Sequence, residues 1–281
     1  MKKRLLPLVA AVSVPALATA GEVELAGYGG YALPFYSQTF PYDPGPIDIP
    51  IPGVTVEQGG EFTLDASGGP AFSGGFTFYA SDSFGLEVRL DSADVSLGTT
   101  ANTYSVHVEL PPPHDPVRTD LRLTAGEAAL GPLRPWSFNV KLRSGGESVR
   151  LTTSGGISRL GGVGLSIDQT VALGVVAVNL ETSALEIATL RLRGVAAEDL
   201  TSSWGGNLGL GIQIGVGERG AVILEGRGFY FPKRTFEWER ETDESLPPVQ
   251  ELLLERVLAR LDPIELKPWW VQATIGVAIR F

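Results

Sequence analysis

Thr274-Ile-Gly-Val-Ala-Ile-Arg-Phe281 closes the chain. These eight residues alternate strictly and stop on a phenylalanine. Ile275, Val277, Ile279 and Phe281 fall on one face of a strand, and Thr274, Gly276, Ala278 and Arg280 on the other. A terminal strand that exposes such an apolar face aggregates in water unless lipid or a neighbouring strand covers it. An ordinary terminal strand of a soluble β protein is the plainer alternative.

The opposite end points the same way. Met1-Lys-Lys-Arg4 is a basic start, Leu5 to about Ala16 is apolar, and Ala18-Thr-Ala20 is a small-x-small cleavage site. Residues 1–20 therefore read as a secretory signal peptide, cut before Gly21, with 21–281 as one barrel domain. Cleavage removes Lys2, Lys3 and Arg4, so a formal charge of −10 becomes −13 over the remaining 281 − 20 = 261 residues.

Composition narrows the class. There is no cysteine, so disulfides, thiol nucleophiles and thiolate metal sites are excluded. The 35 glycines and 20 prolines disfavour a mainly helical fold. Mean hydropathy is only +0.12, as expected where lipid-facing and lumen-facing residues alternate along strands. The acidic balance disfavours nucleic acid as a partner.

Alternation recurs in hairpins. Val23 and Leu25 run on through Gly27-Tyr-Gly-Gly-Tyr31. Phe72 to Tyr79 turns at Ser81-Asp82-Ser83 into Leu86, Val88 and Leu90. Trp136, Phe138, Val140 and Leu142 turn at Ser144-Gly-Gly-Glu147 into Val149 and Leu151. Leu208 to Val216 turns at Gly217-Glu-Arg-Gly220 into Ala221–Phe231, and a last strand runs from about Trp269. This gives eight strands, with short turns at one end and long connections (roughly 32–69, 97–134, 159–203 and 232–267) at the other. The predicted fold is all-β: an antiparallel up-and-down transmembrane β-barrel with long extracellular loops. An even strand count puts both termini in the periplasm of an outer-membrane protein.

The apolar runs in 159–203, and Tyr104–Leu110 with Asp120–Thr124, leave two alternatives. Either a further hairpin makes ten strands, or the eight are prolonged above the bilayer, which is the preferred reading. One short helix is expected in the last loop, from Pro247-Pro248 to Leu261, with a stripe of Val249, Leu252, Leu253, Val257 and Leu261.

The hairpins Gly74–Val88 and Trp204–Ile214, the glycine-rich first strand and the phenylalanine-terminated last strand resemble the opacity-type outer-membrane barrels, related in architecture to the OmpA and OmpW barrels. That resemblance covers the strands and leaves the loops aside. It implies that Thr274, Gly276, Ile279 and Phe281 form an assembly signal read by the barrel-assembly machinery, with outer-membrane lipids as the other partner. It specifies architecture and leaves function open, and the extracellular partner stays unknown.

If Phe281, Ile279, Leu86, Val88 and Leu224 face lipid, the other phase fills the lumen. That phase holds Glu24, Glu87, Asp91 and Glu225 against Arg89, Lys141, Arg150, Arg227 and Arg280, together with Asn139, Gln213 and Gln272. Eight strands enclose room for side chains only, and buried charges there should pair. A salt-bridged, sealed lumen is expected, with a narrow passive channel for small, largely apolar molecules as the alternative. Trp269, Trp270, Tyr230, Phe229 and Tyr31 are candidate belt residues at headgroup depth.

Chemistry is sparse. The two histidines, His107 and His114, have no serine placed to serve them, and the barrel strands carry no histidine, so no enzyme is expected. No cofactor or metal is expected either: Asp43 and Asp48 lack a repeating acidic pattern. A monomeric structural or surface-interaction protein, acting through its loops, is the leading reading.

Overall fold

The computed structural model describes residues 21–45, 54–146, 148–179, 184–196, 202–241 and 245–281. Among them eight strands form a closed antiparallel barrel. These are β1 (Glu22–Pro34), β4 (Gly69–Tyr79), β5 (Phe84–Ala93), β10 (Pro135–Gly145), β11 (Val149–Leu160), β14 (Ser203–Val216), β15 (Gly220–Tyr230) and β18 (Trp270–Arg280). Consecutive barrel strands pair, and β1 closes the ring on β18 with Glu24 opposite Arg280 and Tyr28 opposite Gly276. Three tight turns join them at one end, and at Gly217 φ is +66°, a left-handed conformation that glycine adopts without a Cβ clash.

The period of two decides which wall each residue occupies. On β14, Trp204, Leu208, Leu210, Ile212, Ile214 and Val216 point outward and are exposed, while Asn207 and Gln213 point inward and are buried. Every barrel strand shows this apolar-out pattern. From Trp204 to Val216 is twelve residue steps, which at about 3.4 Å each and a tilt near 45° span about 29 Å, the thickness of a hydrocarbon core. Such a wall is stable only in lipid, so the chain is a transmembrane β-barrel. The alternation continues to Arg280, with Phe281 exposed beyond it.

The long connections fold into two further sheets instead of prolonging the barrel strands or adding a hairpin to the ring. One comprises β2 (Ser37–Tyr42), β3 (Thr55–Ser67), β6 (Ser96–Thr99), β7 (Thr103–Glu109) and β8 (Val117–Arg122). The other comprises β9 (Glu127–Leu130), β12 (Leu165–Asn179), β13 (Ala184–Ala196), β16 (Arg234–Arg240) and β17 (Ile264–Leu266). The apolar segments of 159–203 are thus β12 and β13, paired with one another (Val171 opposite Leu190) and not with the barrel.

The two sheets and one helix, α1 (Pro248–Arg260), share a core outside the barrel. Trp238 packs edge-on against both Phe40 and Phe62, at 5.6 and 5.5 Å between ring centroids. The hydroxyl of Tyr42 accepts hydrogen bonds from Asn102 (2.8 Å) and from the Ala172 amide (3.1 Å), tying one sheet to the other. Burial pushes the Tyr42 phenol up to about 12 and raises that of Tyr104 as well. Pro248 opens α1, and Leu261, in extended conformation before Asp262-Pro263, ends it. Its packed face is Leu253, Leu254 and Val257, with Leu261 buried just beyond. Val249 and Leu252, expected in the stripe, are exposed. The helix packs on β12.

Candidate functional site

The lumen is where the barrel concentrates its polar side chains. Successive inward positions on β5 (Glu87, Arg89, Asp91), β10 (Asn139, Lys141, Arg143) and β15 (Glu225, Arg227) bring charges into one column, and all eight are buried. Arg89 pairs with Asp91 (Nε to Oδ1, 2.9 Å) and Glu225 (Nη1 to Oε1, 2.7 Å). Arg227 pairs with Glu225 (2.9 Å) and Glu87 (3.0 Å), and donates to Asn207 (2.6 Å) and Ser154 (2.8 Å). Lys141 bridges Glu87 (3.4 Å) and Glu24 (3.0 Å). Arg280 lies 3.5 Å from Glu24 and 3.4 Å from Glu22, and Arg143 holds Glu22 in a two-pronged grip of 2.7 and 2.9 Å.

Read from the loop end to the turn end, Asp91, Arg89, Glu225, Arg227, Glu87, Lys141, Glu24, Arg280, Glu22 and Arg143 alternate in sign without a break. Five acids meet five bases, so the column is neutral. Neutral donors complete it. Asn139 donates to Glu87 (2.8 Å), Gln213 to Glu24 (2.6 Å) and Gln272 to Asp91 (2.7 Å). Every carboxylate therefore has a cationic partner, the condition under which buried charge is tolerated. Two guanidinium groups also lie over rings, Arg89 over Tyr28 at 4.2 Å and Arg143 over Tyr79 at 3.7 Å.

Eight of the nine charged residues singled out in the sequence meet in this column. Arg150 does not join it. It sits near the turn end with its Nη1 buried and unbonded among the described residues, while Glu22 pairs with Arg143 and Arg280. Glu22 and Arg143 were missed. Both lie in the inward phase, Glu22 two residues before Glu24 and Arg143 two after Lys141, and that parity was the available signal.

Above the column, at the loop end, lies an apolar layer. Trp270 stacks on Phe229 (4.5 Å) and Phe231 (5.7 Å), beside Ala32, Ala71, Leu133 and Leu160. Trp270 and Phe229 are therefore not belt residues: they share the parity of Gln272 and Arg227 and face inward. Tyr31, Tyr230 and Trp269 do face outward, joined by Trp136 and Trp204.

The four residues of the terminal motif divide between the walls. Ile279 and Phe281 are exposed outside, while Thr274 and Gly276 face in. Gly276 lies under the ring of Tyr28, where a Cβ would come within 2.5 Å of Tyr28 Cδ1. His107 accepts a hydrogen bond at Nδ1 from Arg118 (3.1 Å) on the exposed face of the first loop sheet, and Asp43 pairs there with Arg260 (3.6 Å). Asp48 and residues 1–20 lie outside the described residues.

No protein-family model and no curated protein matches the chain. Among solved structures it is similar to the outer membrane protein OprG from Pseudomonas aeruginosa, with 11% identity over 93% of this chain and 96% of that one and a TM-score of 0.44. It is also similar to the outer membrane protease OmpT from Escherichia coli, with 10% identity over 96% and 99% of the two chains and a TM-score of 0.42. Likeness at this level bears on neither activity nor site.

Proposed function

We propose that this chain is an outer-membrane protein whose barrel is a sealed anchor and whose work is done by the β-sandwich that its long connections build. In this reading the sandwich is extracellular, both termini are periplasmic, and the molecule is a monomer in which the sandwich presents a surface to a partner or gives structural cover. Residues 1–20 direct export, and the terminal strand with Thr274, Gly276, Ile279 and Phe281 is the signal for the assembly machinery. The architecture is that of the opacity-type barrels.

The observation that carries the proposal is the unbroken ion-pair column beneath a stacked aromatic layer. An open water path would demand a polar lining without cross-lumen partners, whereas here Arg89, Arg227 and Lys141 each bind acids from other strands. Single-channel recording of the refolded chain in a planar bilayer tests it. Silence from barrels shown to be folded by heat-modifiable gel mobility is the expected result. Steady discrete openings would replace the sealed anchor with the narrow conduit.

A further inference from the structure

The outer wall carries an aromatic and cationic cluster at its loop end. The register aligns Trp136 on β10, Arg159 on β11 and Trp204 on β14 in one row. The two indoles meet edge to face at 5.5 Å, and the Arg159 guanidinium lies 5.8 Å from the Trp204 ring. Arg159 is held by Ser202, whose hydroxyl accepts from Nε (3.0 Å) and Nη2 (2.8 Å), and its Nη1 bonds to no group among the described residues. Arg134 stands one outward position above Trp136 and is exposed. Among the described residues neither arginine makes an ion pair, although the chain carries a formal −10, and Asp94, close to Arg134 in register, pairs with neither. Outward tryptophans mark headgroup depth, so both guanidinium groups lie at the level of lipid phosphates.

Three outward positions below that row, where Thr153, Leu210 and Gly226 stand side by side, the wall is hollow. Gly226 points outward on β15, and a Cβ there would meet nothing within 4 Å. A cavity of about 610 Å³ opens there, lined by Leu210, Leu224 and Gly226 among others. Charge above and an apolar trough below are the two halves of a lipid.

We infer that this face binds one acyl lipid with a phosphate headgroup. The phosphate accepts charge-assisted hydrogen bonds from Arg134 and Arg159, Trp136 and Trp204 stand beside the headgroup, and an acyl chain runs down the wall to end in the hollow at Gly226. Planar guanidinium forks match phosphate oxygens in a way that a lysine ammonium does not.

The inference rests on the barrel lying in a bilayer, which heat-modifiable mobility checks separately. The test is native mass spectrometry of the refolded full-length chain from micelles doped with phosphatidic acid or with diacylglycerol of the same chain length. The expected result is retention of one phosphatidic acid in preference to diacylglycerol. R134Q/R159Q should lower that preference about tenfold, and G226L should weaken retention of both lipids. Equal retention of the two lipids by the native chain would overturn the inference, as would an unchanged preference in folded R134Q/R159Q. Displacement of the lipid by millimolar inorganic phosphate would assign the arginines to a free anion and also overturn it.

Discussion

Replacing Arg227 with methionine is the sharpest test of the lumen as described. The side chain is fully buried and serves Glu225, Glu87, Asn207 and Ser154 at 2.6–3.0 Å. Methionine keeps most of the packing volume and removes the charge. A neutral column then carries one uncompensated negative charge, and two neutral acceptors lose their donor. Breaking a buried pair from one side costs about 3–5 kcal/mol. With a urea slope of about 2 kcal/mol per molar, the unfolding midpoint should fall by about 2 M. The assay is urea titration of tryptophan fluorescence in detergent or vesicles, with Lys233→Met as the control. Lys233 holds Glu265 at 2.6 Å in an exposed pair, so its loss should leave the midpoint in place. If Arg227→Met shifts the midpoint no more than Lys233→Met does, the column is a set of independent contacts and the reasoning fails.

Three further outcomes are expected. Gly276→Val drives a Cβ into the Tyr28 ring and the Gly27 carbonyl oxygen, and should sharply lower the folded fraction seen as heat-modifiable mobility. Deleting Phe281, which is exposed beyond the last strand, should lower the yield of assembled barrel in cells while refolding of the purified chain in detergent is unchanged; equal losses in both would remove its role as a signal. The third outcome concerns alkali. The Tyr42 phenol is raised above its unfolded value near 10 to about 12, chiefly by burial. A raised folded pKa means that the protonated form stabilises the fold fully below the unfolded value, and that this contribution is lost as pH rises through the folded one. The sandwich should therefore lose its near-ultraviolet circular dichroism between pH about 10 and 12 while the barrel stays heat-modifiable. Ionisation of all seven tyrosines near their ordinary value with the sandwich intact would contradict this.

Parity made the barrel legible. Once Phe281 was placed outside, counting by twos assigned Leu224, Val88 and Leu86 to the outer wall and Glu87, Arg89 and Arg227 to the lumen, and the structure has them there. Applied without exception, the same count would have moved Trp270 and Phe229 inside and added Glu22 and Arg143. Their residue types, aromatic near a membrane boundary and charged near a turn, pulled the reading elsewhere. The sandwich was not legible. Its strands alternate as the barrel strands do, and nothing local tells Tyr104–Val108 or Val171–Val175 which sheet to join. That choice is made by long-range partners, such as Trp238 against Phe40 and Phe62. Arg150 shows the remaining limit, since charge balance counts residues while pairing depends on geometry across the lumen.

The position of Glu24 has a consequence for how this protein is made. It lies on the first strand, yet the cations that neutralise it come from β10 and β18, with a hydrogen bond from Gln213 on β14, and Arg280 is the next-to-last residue of the sequence. An unclosed sheet therefore leaves Glu24 without Arg280, and a ring joined one residue out of register puts one of the two on the apolar outer wall away from the other. The ion-pair column thus works as a proofreading device: only the complete ring in its correct register satisfies it, and a barrel left ajar or misaligned is marked by an unpaired charge.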